Sequence, residues 1–132
     1  MSYKYYQPND FDLRDKYGDC TVRALSKPLN VTWLEAFDLM IPICRKNQVT
    51  NVFDAPAKIR NKFLDQLGFD YHGISNKRGT RRPTVASFAR THKKGTYILN
   101  VANHEVACVD GIYYDTWDSG YACLYGYYEK RC

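Results

Sequence analysis

The sequence predicts an α+β domain, with N-terminal helices packed on a C-terminal antiparallel β-sheet. Three observations carry this. Up to Gly95, apolar residues recur mainly at helical spacing, in segments bounded by capping and stop signals. From Thr96 the period becomes that of strands, interrupted by the turn sequences Asp110-Gly111 and Asp118-Ser119-Gly120. Helices first and strands second is the segregated order of α+β domains. A chain of 132 residues is long enough for one real hydrophobic core, so residues 1–132 are expected to form a single domain.

Residues 1–18 alternate aromatic and polar side chains and pass through Pro8-Asn9-Asp10, which predicts an irregular extended segment on the surface. Asp19 is a plausible N-cap for a helix beginning at Cys20, with Val22, Ala24 and Leu25 on its buried side and Pro28 and Asn30 ending it early. Thr32-Trp33-Leu34-Glu35 fits a capping box, in which hydroxyl and carboxylate each satisfy a backbone donor. The apolar face of that second helix is Trp33, Phe37, Met40, Ile41 and Cys44, and Pro42 is expected to kink or end it. A third helix is expected after Asp54, with Pro56 in its first turn, Ile59, Phe63 and Leu67 as its stripe, and Gly68 as its stop. Phe69–Ser75 reads as a short strand, followed by the basic loop Asn76–Pro83. A fourth helix runs from Thr84 with Val85, Phe88, Ala89 and His92 on one face. The strands are then Thr96–Val101, His104–Val109, Ile112–Asp115 and Ala122–Tyr128, read as an antiparallel meander.

Composition narrows the function classes. No apolar run approaches the length of a membrane span, and the N-terminal residues lack the apolar core of a secretory signal, so the expected compartment is the cytoplasm. Five cysteines, without a C-x-x-C pair, are expected to be thiols there. Cys44, Cys108 and Cys123 are read as buried hydrophobes and Cys132 as exposed. The net charge of +5 favours acidic partners only weakly.

The stretch from His104 to Trp117 reads as a β-hairpin turning at Asp110-Gly111. Its outer ends would set the His104 imidazole beside the Asp115 carboxylate, half of a nucleophilic catalytic site. The nucleophile best placed to complete it is Cys20, because a thiol in the first turn of a helix meets unpaired N–H groups and the positive end of the dipole.

These residues carry a resemblance. Gly18-Asp19-Cys20 at a helix start, His104 opening a strand before Val106-Ala107, and Asp115-Thr116-Trp117 together resemble the papain-like cysteine peptidase superfamily, and Asp19-Cys20 its bacteriocin-processing C39 branch. The series GDC-x-V-R-A-L-S, K-G-T-Y, H-x-V and Y-D-T-W-D-S is similar to small papain-fold proteins of phages and Gram-positive bacteria. The resemblance implies a papain-like fold and a peptidase, amidase or isopeptidase that needs no cofactor or metal, acting on a peptide or protein, in the host cytoplasm if phage-encoded. It implies that Cys20 attacks, His104 is the base, Asp115 orients the ring and Trp117 shields that contact. Papain-like enzymes place a glutamine shortly before the nucleophile as an oxyanion donor, about six residues before it in the C39 branch. That position here is Arg14, which leaves Gln7 and Asn9 upstream as the supporting candidates.

Rival readings stand beside this one. A non-catalytic module of papain fold, phage-encoded, would bind a host protein or nucleic acid. Lys77, Arg78, Arg81 and Arg82 are the basic residues available for nucleic acid, although a solvated loop or a flap beside the cleft is the simpler reading. A metal site built from Cys20, His104, Asp115, His72 and His92 matches no zinc spacing. Asp118 is the runner-up to Asp115, but its Ser-Gly context suits a turn.

Overall fold

The computed structural model describes residues 2–8, 20–48, 57–74, 81–102 and 104–131. In chain order the elements are β1 (Tyr3–Tyr5), α1 (Cys20–Leu29), α2 (Trp33–Lys46), α3 (Ala57–Gln66), β2 (Phe69–Gly73), α4 (Val85–Thr91), β3 (Thr96–Val101), β4 (His104–Val109), β5 (Ile112–Asp115) and β6 (Gly126–Lys130). The architecture is α+β, with helices on a six-stranded sheet of order β1-β5-β4-β3-β6-β2.

The sheet is mixed, which corrects the expected antiparallel meander. The run β3-β4-β5 is a meander, but β6 returns to pair with β3 rather than β5, and β2 extends that side. At the opposite edge β1 lies parallel to β5, with Tyr3 opposite Tyr113 and Tyr5 opposite Asp115. An uncovered β5 would expose a row of unpaired backbone groups. The N-terminal segment supplies their partners: Tyr113 N–H donates to Ser2 O at 2.7 Å and Tyr6 N–H to Asp115 O at 2.9 Å. The last strand also begins later than expected. Residues 122–124 turn their backbone to the entry of α4, where Val85 N–H donates to Ala122 O and Leu124 N–H to Pro83 O, both at 2.9 Å.

Alternation along the strands divides the core in two. Ile98 and Tyr128 face α1, α2 and α3 and pack with Leu25, Met40, Phe63, Leu64 and Phe69. Tyr97, Leu99, Val106 and Cys108 face the other way, against Val85, Phe88 and Ala89 of α4. Full burial of side chains of this size contributes about 1.5–3 kcal/mol each.

Both helix prolines are accommodated. α1 runs through Pro28 to Leu29 and ends at Asn30, whose φ of 55° is left-handed. α2 starts on the expected capping box, Glu35 N–H to Thr32 Oγ1 at 3.1 Å and Thr32 N–H to Glu35 Oε1 at 3.0 Å. It passes Pro42 and continues to Lys46, anchored beyond the proline by buried Ile43 and Cys44. Cys108 is buried as expected, and burial pushes its thiol up to about 12. Cys123 is exposed, a correction. It alternates with Leu124, which takes the inward position. Asp54, Pro56 and Cys132 lie outside the described residues.

Candidate active site

The turn between β4 and β5 sets the site. Asp110 and Gly111 have φ of 50° and 81°, and two consecutive left-handed residues match the twist of a tight hairpin. The resulting register pairs Val109 with Ile112, Cys108 with Tyr113 and Ala107 with Tyr114. Continued by one step, it sets Asp115 beside Val106, on the same face as His104 and diagonal to it. His104 Nε2 meets Asp115 Oδ2 at 2.6 Å.

Asp115 is 3% exposed, so its charge needs partners inside the protein. The Thr116 N–H donates to Oδ1 at 2.8 Å, and the Ser119 hydroxyl donates to Oδ2 at 2.8 Å. The Arg23 guanidinium stands 3.9 Å from Oδ1. The backbone carbonyl of Asp115 takes the Tyr3 hydroxyl at 3.2 Å as well as the Tyr6 N–H.

Cys20 is the first residue of α1, half-buried and free of any disulfide. It is close enough to the His104 ring to help that ring hold its proton. With Nε2 committed to Asp115, Nδ1 is the ring nitrogen that remains. Burial opposes the His104 charge, but the Asp115 hydrogen bond, the neighbouring Cys20 thiol and the negative charge of both outweigh it and hold the imidazole up to about 9. Trp117 stacks on the same ring, with centroids 5.2 Å apart and planes inclined by 26°. His104, Asp115, Cys20 and Trp117 are therefore gathered at one place, on elements from opposite ends of the chain.

The other candidates fall differently. Gln7 is half-buried and follows directly on Tyr6, so its backbone runs beside the end of β5. Asn9, Arg14, Lys77 and Arg78 lie outside the described residues. Asp118 does not orient His104. It takes the Tyr113 hydroxyl and the Gly120 N–H, and these two bonds, in that order, hold its carboxyl below the ordinary carboxylate range. His72 pairs with Glu129 at 3.3 Å, and His92 stacks on Phe88 at the end of α4, both away from Cys20. Among the described residues, no group of three or more His, Cys, Asp or Glu side chains is arranged to hold a metal ion.

A cleft of about 530 Å³ opens on the Trp117 side of His104. Arg82, Tyr121, Cys123 and Tyr125 form its further walls. Trp117, Tyr121 and Tyr125 are 44%, 75% and 45% exposed, so much of this aromatic surface is bare. The Arg82 guanidinium lies 4.7 Å from the Tyr125 ring centroid. Sequence reasoning missed Arg23, Ser119, Tyr121 and Tyr125 as parts of this region. Arg23 carried a usable signal, since it follows Cys20 by three residues and shares its helix face. Ser119 carried none beyond its turn.

No helix among the described residues is long and apolar enough to cross a membrane. Comparison of the chain with protein-family models, with curated proteins and with solved structures finds no match in any of the three.

Proposed function

We propose that the protein is a cysteine-dependent hydrolase of amide or isopeptide bonds, papain-like in fold, with Cys20 as nucleophile, His104 as acid and base, and Asp115 as the residue that positions the ring. The observation that carries this reading is a single imidazole that meets a buried carboxylate through Nε2 and has the Cys20 thiol as a close neighbour. A ring kept protonated to about pH 9 holds a cation and a transferable proton beside the sulfur. The sulfur attacks the carbonyl carbon, and the Cys20 N–H at the head of α1 supports the oxyanion. The C–N bond breaks as His104 passes its proton to the leaving nitrogen, which leaves a thioester on Cys20. His104 then takes a proton from water, the hydroxide attacks the thioester, and the acid departs as the thiol is restored. Gln7 is the side chain we assign to second oxyanion support. Cys20, Cys44, Cys108 and Cys123 are free thiols, which fits work in a reducing cytoplasm.

Selective modification tests the pair. Stoichiometric iodoacetamide at about pH 6 is expected to label Cys20 well ahead of the other four thiols. His104→Ala is expected to abolish that preference. Equal labelling of all accessible thiols would overturn the hydrolase reading.

A further inference from the structure

Building on the hydrolase reading, we infer that Arg82 makes the cleft beside His104 a subsite for a carboxylate on the leaving-group side of a peptide substrate. The cleft is bounded by His104 and Trp117, while Cys20 is not part of its lining. During acylation the carbonyl carbon becomes bonded to the Cys20 sulfur, and the departing nitrogen takes its proton from His104. The chain attached to that nitrogen therefore starts beside His104, and the cleft is the space that receives it.

The walls state what such a chain should carry. Trp117, Tyr121 and Tyr125 offer broad ring surface that water covers in the free protein. Trp117 and Tyr121 already lie against one another, with centroids 6.1 Å apart, so one wall is preformed. Arg82 is half-buried, and among the described residues its guanidinium has a ring contact with Tyr125 and no ion pair. Arg131 shows the contrast, since its guanidinium is engaged by both Asp65 and Asp70. A guanidinium resting on a ring face keeps its edge N–H donors available for a planar acceptor, and a carboxylate matches that fork. An aromatic or apolar residue followed by a carboxylate fits the cleft. The carboxylate comes either from an acidic side chain or from the chain's C-terminus.

The test separates this inference from catalysis. Binding is measured by calorimetry to full-length Cys20→Ala, which cannot turn over. The first probe pair is acetyl-Ala-Ala-Phe-Glu-amide against acetyl-Ala-Ala-Phe-Gln-amide. The second is acetyl-Ala-Ala-Phe-Ala with a free C-terminus against its amide. The carboxylate member of at least one pair is expected to bind about tenfold more tightly. The pair that discriminates identifies the source of the carboxylate. Adding Arg82→Ala is expected to remove the difference, and Arg82→Lys to restore part of it. Equal binding within both pairs, no binding of any probe, or a preference that survives Arg82→Ala overturns the inference. So does a single-stranded DNA oligomer that binds through Arg82 while the peptides do not discriminate. With active protein, the same preference should appear in kcat/KM. Peptide discrimination without cleavage would retain the subsite and remove only the hydrolase reading.

Discussion

Ser119 donates its hydroxyl to Asp115 Oδ2 at 2.8 Å, on the same oxygen that receives His104 Nε2 at 2.6 Å. Ser119 is fully buried and Asp115 nearly so, which keeps bulk solvent from this bond. A hydrogen bond to a charged group contributes about 1.5–3 kcal/mol, and loss of one partner leaves the other undersupplied. Ser119→Ala is therefore expected to lower unfolding stability by about that amount, read from the urea midpoint at constant m. A loss below about 0.5 kcal/mol would show that the bond contributes little.

The Asp115 carboxylate is the main support for the His104 charge. Burial alone would push this imidazole down, and the bond to Asp115 is the largest influence acting the other way. Asp115→Asn keeps an acceptor of the same shape but removes the charge. The His104 titration, followed through its ring C–H resonances in NMR, is expected to fall from about 9 by more than one pH unit. The protein has three histidines, so assignment by His72→Gln and His92→Gln is direct. A titration that stays near 9 would assign the shift to Cys20 instead.

Local sequence carried the hairpin because its determinants are local. Asp110-Gly111 supplies two left-handed residues in a row, and the flanking period places every side chain on a face. The helix at Cys20 was legible for the same reason. What was not legible depends on partners far along the chain. Tyr3 reaches Asp115 across 112 residues, and nothing in three alternating residues says which strand they will join, or in which direction. Pro42 looked like an end of α2 because a lost backbone bond is visible in sequence, whereas the burial of Ile43 and Cys44 that holds the helix together beyond it is not. Cys123 looked buried because its neighbours are apolar, but the chain there bonds to the start of α4 and leaves the sheet pattern. Ser119 and Arg82 meet the site only through the path of two loops, which no periodicity encodes.

The raised His104 value also predicts a pH dependence of stability. The imidazole titrates near 6.5 in the unfolded chain and near 9 in the folded one. Its stabilising contribution is then full below about pH 6.5 and is lost as pH rises through about 9. Unfolding free energies of the wild type and His104→Gln, compared between about pH 6 and pH 10, are expected to differ most at the acidic end and to converge at the alkaline end. A difference that grows with pH would mean that the folded protein holds the ring neutral.

Gly120 tests how the Ser119 turn is held in place. Asp118 accepts from the Tyr113 hydroxyl and from the Gly120 N–H, which ties the turn to β5 two residues before Asp115. A Cβ on Gly120 would stand 3.0 Å from Asp118 Oδ1 and would overlap the Tyr113 hydroxyl. Gly120→Ala must therefore move the hydroxyl or the turn, at a cost of about 1–3 kcal/mol. If the overlap with the hydroxyl is the cause, Tyr113→Phe removes the closest contact and leaves the methyl 3.0 Å from the ring Cζ, and the cost of Gly120→Ala in that background should shrink by about 1 kcal/mol or more. Purely additive losses would place the damage in the backbone of the turn instead. The His104 titration provides the second readout: a turn displaced with Ser119 shifts it, and a turn that stays in place leaves it near 9.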